Sequence, residues 1–408
     1  MSALSGLASS QEWLKQFKAE DRDVARMVLD EVQLVSSRKF SDGIIELIDE
    51  IAAERPDKDR KIALYSERPM KLAWGDVPAF FPNSRHGRAE GPGVPPIVVN
   101  PKDQEVGSEG IVAQLITAYC RANPRVALSH PGPTKLRKDR VSHIVLVTDL
   151  IGSGDRIYRM LESFGHVATL RSWQSYGLIK FIVVAYASTD TGLRRLQTMP
   201  LPHEVRSVVS SATLYTAFRG ARRELAYSLC RKYPPARRGD PFGWKGGGAL
   251  ISFSHGCPNN APAILWTRAN SWKPIFPGRT VLAAQEAFAI DDDDLLRERA
   301  ERILKATTAR ERLDAPDGRL WLSTMAILAA SEDGARGARE VSARLGIPLR
   351  EAGSQLTLCR TAGWIAGKGR LTVLGRLELK RLRRRLRPKT VFPSDTNPFY
   401  YPSQLRAP

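Results

Sequence analysis

A chain of 408 residues is too long for one ordinary domain and long enough to bury two sizeable cores. Its hydrophobic fraction of 42 % excludes a disordered chain, and its four scattered cysteines, with no C-x-x-C pair, exclude a zinc ribbon or disulfide scaffold and fit a reducing cytoplasm. The 62 Lys and Arg residues against 43 Asp and Glu, a net charge of +19, point to a polyanionic partner, nucleic acid first.

The opening MSALSGLASSQEWLKQF has no basic region leading into an apolar core, so no signal peptide is expected. Trp13, Phe17, Val24, Met27 and Val28 recur at helical spacing, Ser36-Ser37 breaks the pattern, and Phe40, Ile44, Ile45, Ile48 and Ile51 form a second stripe. Residues 1–60 are therefore predicted as a helical lid or dimer surface on the next domain. Lys61 to Phe81 mixes short apolar runs with loops, and Pro82 to Pro96 reads as loop. Ile97 to Asn100 is a predicted strand, Ile111 to Arg121 a helix and Val126 to Ser129 a strand. Pro131 to Arg140, basic and led by Pro and Gly, is predicted to be mobile. Ile144 to Val147 is a buried strand, and a helix follows from about Arg156 to Phe164. Ile179 to Tyr186 is the continuous apolar run of an interior parallel strand, and Val205 to Val209 is another. Strands alternating with helices predict an α/β fold with a parallel sheet over residues 61–290. Gly243 to Trp266 holds a Gly-rich turn, a strand at Ala249 to Phe253 and a polar loop.

Residues 291–318 read as a connecting helix, running to about Leu313, and a linker; its four leading acids suit a helix start better than a metal. Residues 319–387 carry helices at Trp321 to Ala330, Glu340 to Leu345 and Leu349 to Ala362, a hairpin around Gly367 to Gly369, and a last helix from Leu374 to Leu386. Residues 388–408, rich in Pro and aromatics, read as an extended arm. No internal repeat is evident. No apolar run approaches the ~20 residues that span a bilayer, so a cytoplasmic protein without a membrane partner is expected.

The most informative stretch is His143 to Asp155, HIVLVTDLIGSGD. Strand, acid, glycine loop and helix in that order build a phosphate site at the carboxyl end of an open sheet. Gly152 and Gly154 let backbone approach an anion, and the next helix points its amides and dipole there. Asp149 can hold ribose hydroxyls or a metal ion. Asp155 repels a phosphate unless its side chain caps the helix. In the loop SHGCPNNAP, Asn259 and Asn260 can read amide-like edges or simply hold their own turn. His255 and Cys257, two residues apart, give little support to a thiol enzyme.

The stretch resembles the phosphoribosyl-diphosphate motif of type I phosphoribosyltransferases: an apolar strand, two acids, two apolar residues and a small phosphate loop. Thr148 replaces the first acid, Asp149 is the second, and GSGD stands for the commoner TGGT. With HGCPNNAPAILW, the pattern is similar to a divergent branch found in bacterial conflict and antiphage systems, from about Gln11 to Phe288. The resemblance implies a type I phosphoribosyltransferase-like sheet in which Gly152, Ser153, Gly154 and Asp155 hold the 5-phosphate. Asp149 would be catalytic, acting on the ribose through Mg. Ser108, Glu109 and Gly110, after Gly107, would form the pyrophosphate loop. Lys135, Arg137 and Lys138, with Arg140, stand in place of the family's flexible loop, and Pro258, Asn259 and Asn260 would face the acceptor. Thr148 sets the chain apart from ordinary nucleotide salvage.

The carboxyl-terminal elements resemble a winged helix-turn-helix domain, with LTVLGRLEL as the passage from wing to final helix. In the third helix Leu349, Ala352, Leu356 and Cys359 are expected inward, leaving Arg350, Ser354, Gln355, Thr357 and Thr361 able to touch bases. Lys368 and Arg370 sit at the wing, and Arg383, Arg384 and Arg385 would add sequence-independent affinity. The expected protein is thus a phosphoribosyltransferase-like effector of antiphage defence. It would bind phosphoribosyl diphosphate or a related nucleotide with Mg and transfer or cleave a ribosyl group. Nucleic acid, DNA or RNA–DNA, on the winged helix would hold it inactive. The resemblance allows a reverse transcriptase as partner, and a homodimer. The second reading is a non-enzymatic transcription regulator whose front half senses a phosphoribosyl ligand.

Overall fold

Strands buried on both faces need continuous apolar runs, and Ile144 to Val147 and Phe181 to Ala185 supply them. The computed structural model describes residues 4–81, 88–97, 108–234, 239–269, 272–290, 292–304 and 318–386, with backbone alone at 292, 382 and 384–386. The first half of the chain forms α1 (Ala8–Lys15), α2 (Arg22–Asp30), β1 (Gln33–Val35), α3 (Ser37–Ala53), β2 (Ile62–Ser66), α4 (Ser108–Ala122), β3 (Ala127–Ser129), α5 (Pro133–Lys138), β4 (His143–Ile151), α6 (Asp155–Gly165) and α7 (Ala168–Ser175). The second half forms β5 (Lys180–Ser188), α8 (Asp190–Gln197), β6 (Glu204–Ser210), α9 (Leu214–Ala217), α10 (Ala221–Lys232), β7 (Ile251–Phe253), α11 (Ala263–Trp266), α12 (Asp292–Leu304), α13 (Gly318–Glu332), α14 (Ala338–Leu345), α15 (Leu349–Thr361) and α16 (Val373–Leu386).

The main sheet runs in the order β3-β2-β4-β5-β6, all parallel. The chain lays β3 on one side of β2 and then crosses to lay β4 on the other. The direction of winding therefore reverses between β2 and β4, and an open sheet leaves a crevice outside the carboxyl ends of such a pair. Alternate residues of β4 feed two cores. Ile144 and Leu146 share one with Met160, Leu161 and Phe164 of α6. Val145 and Val147 share the other with Ile44 and Ile48 of α3 and Ile116 of α4.

The amino-terminal segment is a layer of this domain rather than a lid. Its second apolar stripe is α3, capped by the Ser36 hydroxyl, which accepts from the Lys39 amide at 3.2 Å. Between α2 and α3 the chain inserts β1, which pairs in parallel with β7 in a separate two-stranded sheet. α1 and α2 join a further core built on Trp13, Phe17, Tyr233 and Trp272, where Phe17 meets the other three rings at 4.6–5.1 Å. Of the strand expected at Ile97 to Asn100, Ile97 stands in a bend and the rest lies outside the described residues, as do most of the expected linker and the carboxyl-terminal arm.

A helix that is apolar all round belongs at the centre of its domain. α13 is such a helix, buried from Leu322 to Ser331, and α12, α14, α15 and α16 surround it. The expected hairpin is shorter than predicted: Ile365 and Leu371 form a single antiparallel bridge around the turn. This domain docks on the sheet, with α14 and α15 against the edge strand β6. Ser342 Oγ accepts from the Ser210 amide at 3.0 Å, and Gln33 Nε2 donates to the Ala343 carbonyl at 2.8 Å. Among the described residues no helix is long and apolar enough to cross a membrane.

Candidate functional site

The two loop glycines are needed for space and for backbone shape. A Cβ on Gly152 would lie 2.3 Å from Asn260 Oδ1, and one on Gly154 would lie 2.6 Å from the Gly192 carbonyl oxygen. Gly154 also takes φ +79°, a left-handed value that other residues rarely adopt. Thr189 fastens the loop from the neighbouring strand end: its hydroxyl donates to the Gly152 carbonyl at 2.6 Å and accepts from the Gly192 amide at 3.0 Å. The cradle opens onto the first turn of the 11-residue α6, whose amides and dipole favour an anion.

Asp155 does not cap that helix. Burial opposes its charge, but Lys245 donates to it and holds its carboxyl below the usual carboxylate range. Lys245 reaches it at 2.6 Å and Arg195 at 3.4 Å, so two cations offset the acid inside the loop. Lys245 sits at φ +53° in the Gly-rich turn that packs on Asn260. A lone lysine among four glycines, GWKGGG, is the sequence signal that could have found it.

The acids gather where β2 and β4 end. Asp149 accepts from the Leu150 amide at 2.7 Å, from His255 Nε2 at 3.4 Å, and from Ser108 in the first turn of α4. Burial opposes its charge, yet His255 and these donors hold its carboxyl below the ordinary range. Thr148, which stands in place of the motif's first acid, is 1 % exposed, and its hydroxyl donates to Glu67, the residue that follows β2. Burial pushes Glu67 up to about 7 against the pull of Arg156 and Thr148. The site therefore has its carboxylate pair, Asp149 and Glu67, drawn from adjacent strands rather than adjacent residues. Arg156 also pairs with Glu109 at 3.7 Å. Ser108, Glu109 and Gly110 thus open α4 beside the acids, and Gly107 before them lies outside the described residues.

His255 is an orienting partner for Asp149, stacked on Phe253 at 5.0 Å and edge-on to Phe40 at 5.2 Å. Cys257 is 3 % exposed and burial pushes its thiol up to about 12, so the two do not form a thiol dyad. Asn260 braces the phosphate loop, spending its amide NH2 on the Trp244 carbonyl at 3.2 Å. Asn259 and Pro258 hold the same turn through their carbonyls, which accept from Trp244 and Ala261.

Two groups of expected residues fall elsewhere. Lys135, Arg137 and Lys138 belong to α5, started by Pro133 and anchored by buried Leu136, rather than to a mobile loop over the site. Lys135 pairs with Asp139, which also meets Lys61 just before β2, at the amino end of the sheet and opposite the cradle. Arg137 lies over the Trp173 ring at 5.4 Å. In α15, Gln355 is 8 % exposed and accepts from the Thr324 hydroxyl at 2.9 Å, so it does not face outward. Arg350 is exposed but ion-paired with Glu46 and Glu50 of α3, each at 3.0 Å. Arg383 pairs with Glu332 at 2.8 Å. Ser354, Lys368 and Arg370 are exposed, and the side chains of Arg384 and Arg385 lie outside the described residues.

Comparison with known proteins agrees with this architecture. The family described as PRTase-CE matches residues 10–277, and the one described as wHTH-PRTase associated matches residues 325–407. No curated protein and no solved structure matches the chain. The parallel sheet lies within the first match and α14, α15 and α16 within the second, and the chain belongs to the PRTase-CE family.

Proposed function

We propose that the cradle and the acids at the β2–β4 crevice bind phosphoribosyl diphosphate or a related nucleotide and transfer or cleave its ribosyl group. The observation that carries this reading is the placement of Gly152–Gly154, at the start of α6, beside the Asp149–Glu67 pair bridged by Thr148. Among the described residues no group of three or more His, Cys, Asp and Glu side chains could hold a metal by itself. Asp149, kept ionised, would be the protein's carboxylate toward a Mg2+ ion bound together with the diphosphate. When bound, the ion would neutralise charge on the leaving diphosphate. The bond from ribose C1 to oxygen breaks, its electron pair leaves with the diphosphate, and positive charge develops on the sugar. Asp149, kept ionised and oriented by His255, would face that charge. Glu67, poised near neutrality, would take the proton that an N–H or O–H acceptor gives up.

On this reading the protein is an effector of antiphage defence, and nucleic acid on the winged helix controls it. Exposed Lys368 and Arg370 are suited to that contact, while Arg350 would first have to leave Glu46 and Glu50. Calorimetric titration of phosphoribosyl diphosphate with Mg2+ into the wild-type protein and Asp149→Asn tests the assignment. Binding that the variant loses is expected. A wild-type protein that does not bind would overturn it.

A further inference from the structure

The phosphate loop is not held by its own strand alone. Thr189, between β5 and α8, clasps it: its hydroxyl donates to the Gly152 carbonyl at 2.6 Å, and its amide donates to the Ile151 carbonyl at 3.0 Å. α8 then packs backbone to backbone on the loop. A Cβ on Gly192 would lie 2.6 Å from both the Ile151 and the Gly152 carbonyl oxygens. Contacts this close leave no flexible side chain to absorb a shift, so a displacement of Thr189 or Gly192 passes to the loop.

Both neighbours of Thr189 are gripped from the other domain. Arg339, in the first turn of α14, donates to Asp190 Oδ1 through Nε at 3.2 Å and through Nη2 at 3.1 Å. It also donates to the Ser188 carbonyl at 3.3 Å and to the Ser188 hydroxyl at 3.4 Å. One guanidinium therefore spans the residues on either side of the clasp. No other cation pairs with Asp190 among the described residues. α14 gives no reason of its own for an arginine there, because the amino-terminal end of a helix dipole disfavours a cation. Three residues along the same helix, Ser342 accepts from the Ser210 amide, so docking of that face aims Arg339 at the clasp.

We propose that Arg339 is a positioning residue for the phosphate cradle, supplied by the carboxyl-terminal domain. By holding Ser188 and Asp190 it fixes Thr189, and through Thr189 the loop at residues 152–154. Its effect on binding rests on the reading of that loop as the phosphate site. α14 is joined to α15 by the turn at residues 346–348, so whatever α15 binds acts on the helix that carries Arg339. Control of the crevice by that domain then has a route of one guanidinium and one hydroxyl.

Hydrogen exchange read by mass spectrometry on the full chain, without ligand, tests the positioning. Calorimetric titration of phosphoribosyl diphosphate with Mg2+ reads its effect. Arg339→Ala should speed exchange in the peptides covering residues 152–158 and 189–193, and should weaken phosphoribosyl diphosphate about fivefold, the effect of one partly exposed ion pair. Arg339→Lys, which can still meet Asp190, should recover part of both. Arg219→Ala is the control. It cuts a different tie to the same domain, from Arg219 to Glu340 and the Gly334 carbonyl, and touches neither Ser188 nor Asp190. It should leave exchange in the loop unchanged. Loop exchange unaffected by Arg339→Ala would overturn the proposal. So would equal loosening by Arg219→Ala, which would make Arg339 one docking contact among several. A wild-type protein that binds no phosphoribosyl diphosphate would sink the ligand assignment, and the exchange comparison would still decide the positioning.

Discussion

Replacing Glu67 with glutamine separates its charge from its shape. Burial raises its carboxyl from an ordinary 4.5 to about 7, so the folded protein keeps a proton that the unfolded chain has released. The stability that protonation contributes is full below about pH 4.5 and is lost as pH rises through about 7. One unit of difference is worth about 1.4 kcal/mol. The whole window therefore amounts to about 3 kcal/mol, or about 2 kcal/mol once the residue's partial contact with solvent is discounted. Glu67→Gln cannot titrate, so its stability relative to wild type should climb by that amount across the window. In thermal unfolding followed from acid to mildly alkaline pH, the two melting curves should diverge by roughly 4–8 °C, at about 2–4 °C per kcal/mol for a domain of this size. Every other titrating group is common to both proteins and cancels. Melting temperatures that run parallel across the window would refute the placement of a neutralised acid beside Thr148.

Gly152→Ala should destabilise the protein by about 1–3 kcal/mol, because its Cβ meets an Asn260 side chain that is itself buried and tied down. Adding Asn260→Ala should recover part of that loss in denaturant unfolding, and strict additivity would argue against the contact. Lys245→Ala leaves Asp155 with Arg195 as its remaining ion-pair partner. Affinity for phosphoribosyl diphosphate should fall about tenfold, and a further Asp155→Asn change should restore it; no rescue would mean that Lys245 acts some other way. Lys368→Ala with Arg370→Ala should lower the slope of log affinity for duplex DNA against log salt by about 2, measured by fluorescence anisotropy. An unchanged slope would remove the turn from the nucleic-acid contact.

The cradle was legible because its information is local: strand, acid, glycines and helix lie within 13 residues, and each has a distinct composition. The second carboxylate was not, because nothing near Glu67 in the chain marks it. β2 is five residues long, too short for its periodicity to stand out, and Glu67 meets Thr148 only because the parallel register sets Ser66 opposite Val147. Pro131 to Arg140 misled for the opposite reason. Its Pro and Gly look mobile, yet Pro133 is suited to a helix start and Leu136 had a core to enter. In α15 the apolar stripe was readable from Ala352, Leu356 and Cys359, whereas the burial of Gln355 depends on Thr324, 31 residues away. Polarity alone does not say which side chains face out when a partner waits inside.

The docking of α14 and α15 on β6 has a consequence for any attempt to take the protein apart. The outer edge of β6 belongs to the α/β half, but its shelter is made by the other half: Ser342 receives the Ser210 amide, and Arg339 reaches Asp190 at 3.1 Å just beyond β5. Cutting the chain between α12 and α13 would bare that strand and leave its hydrogen-bonding groups as a template for the next molecule. The carboxyl-terminal domain is then a piece of cladding whatever else it does, and a truncated front half should precipitate for reasons unrelated to its chemistry. Activity sought in such a fragment would go missing even if every residue at the crevice were intact.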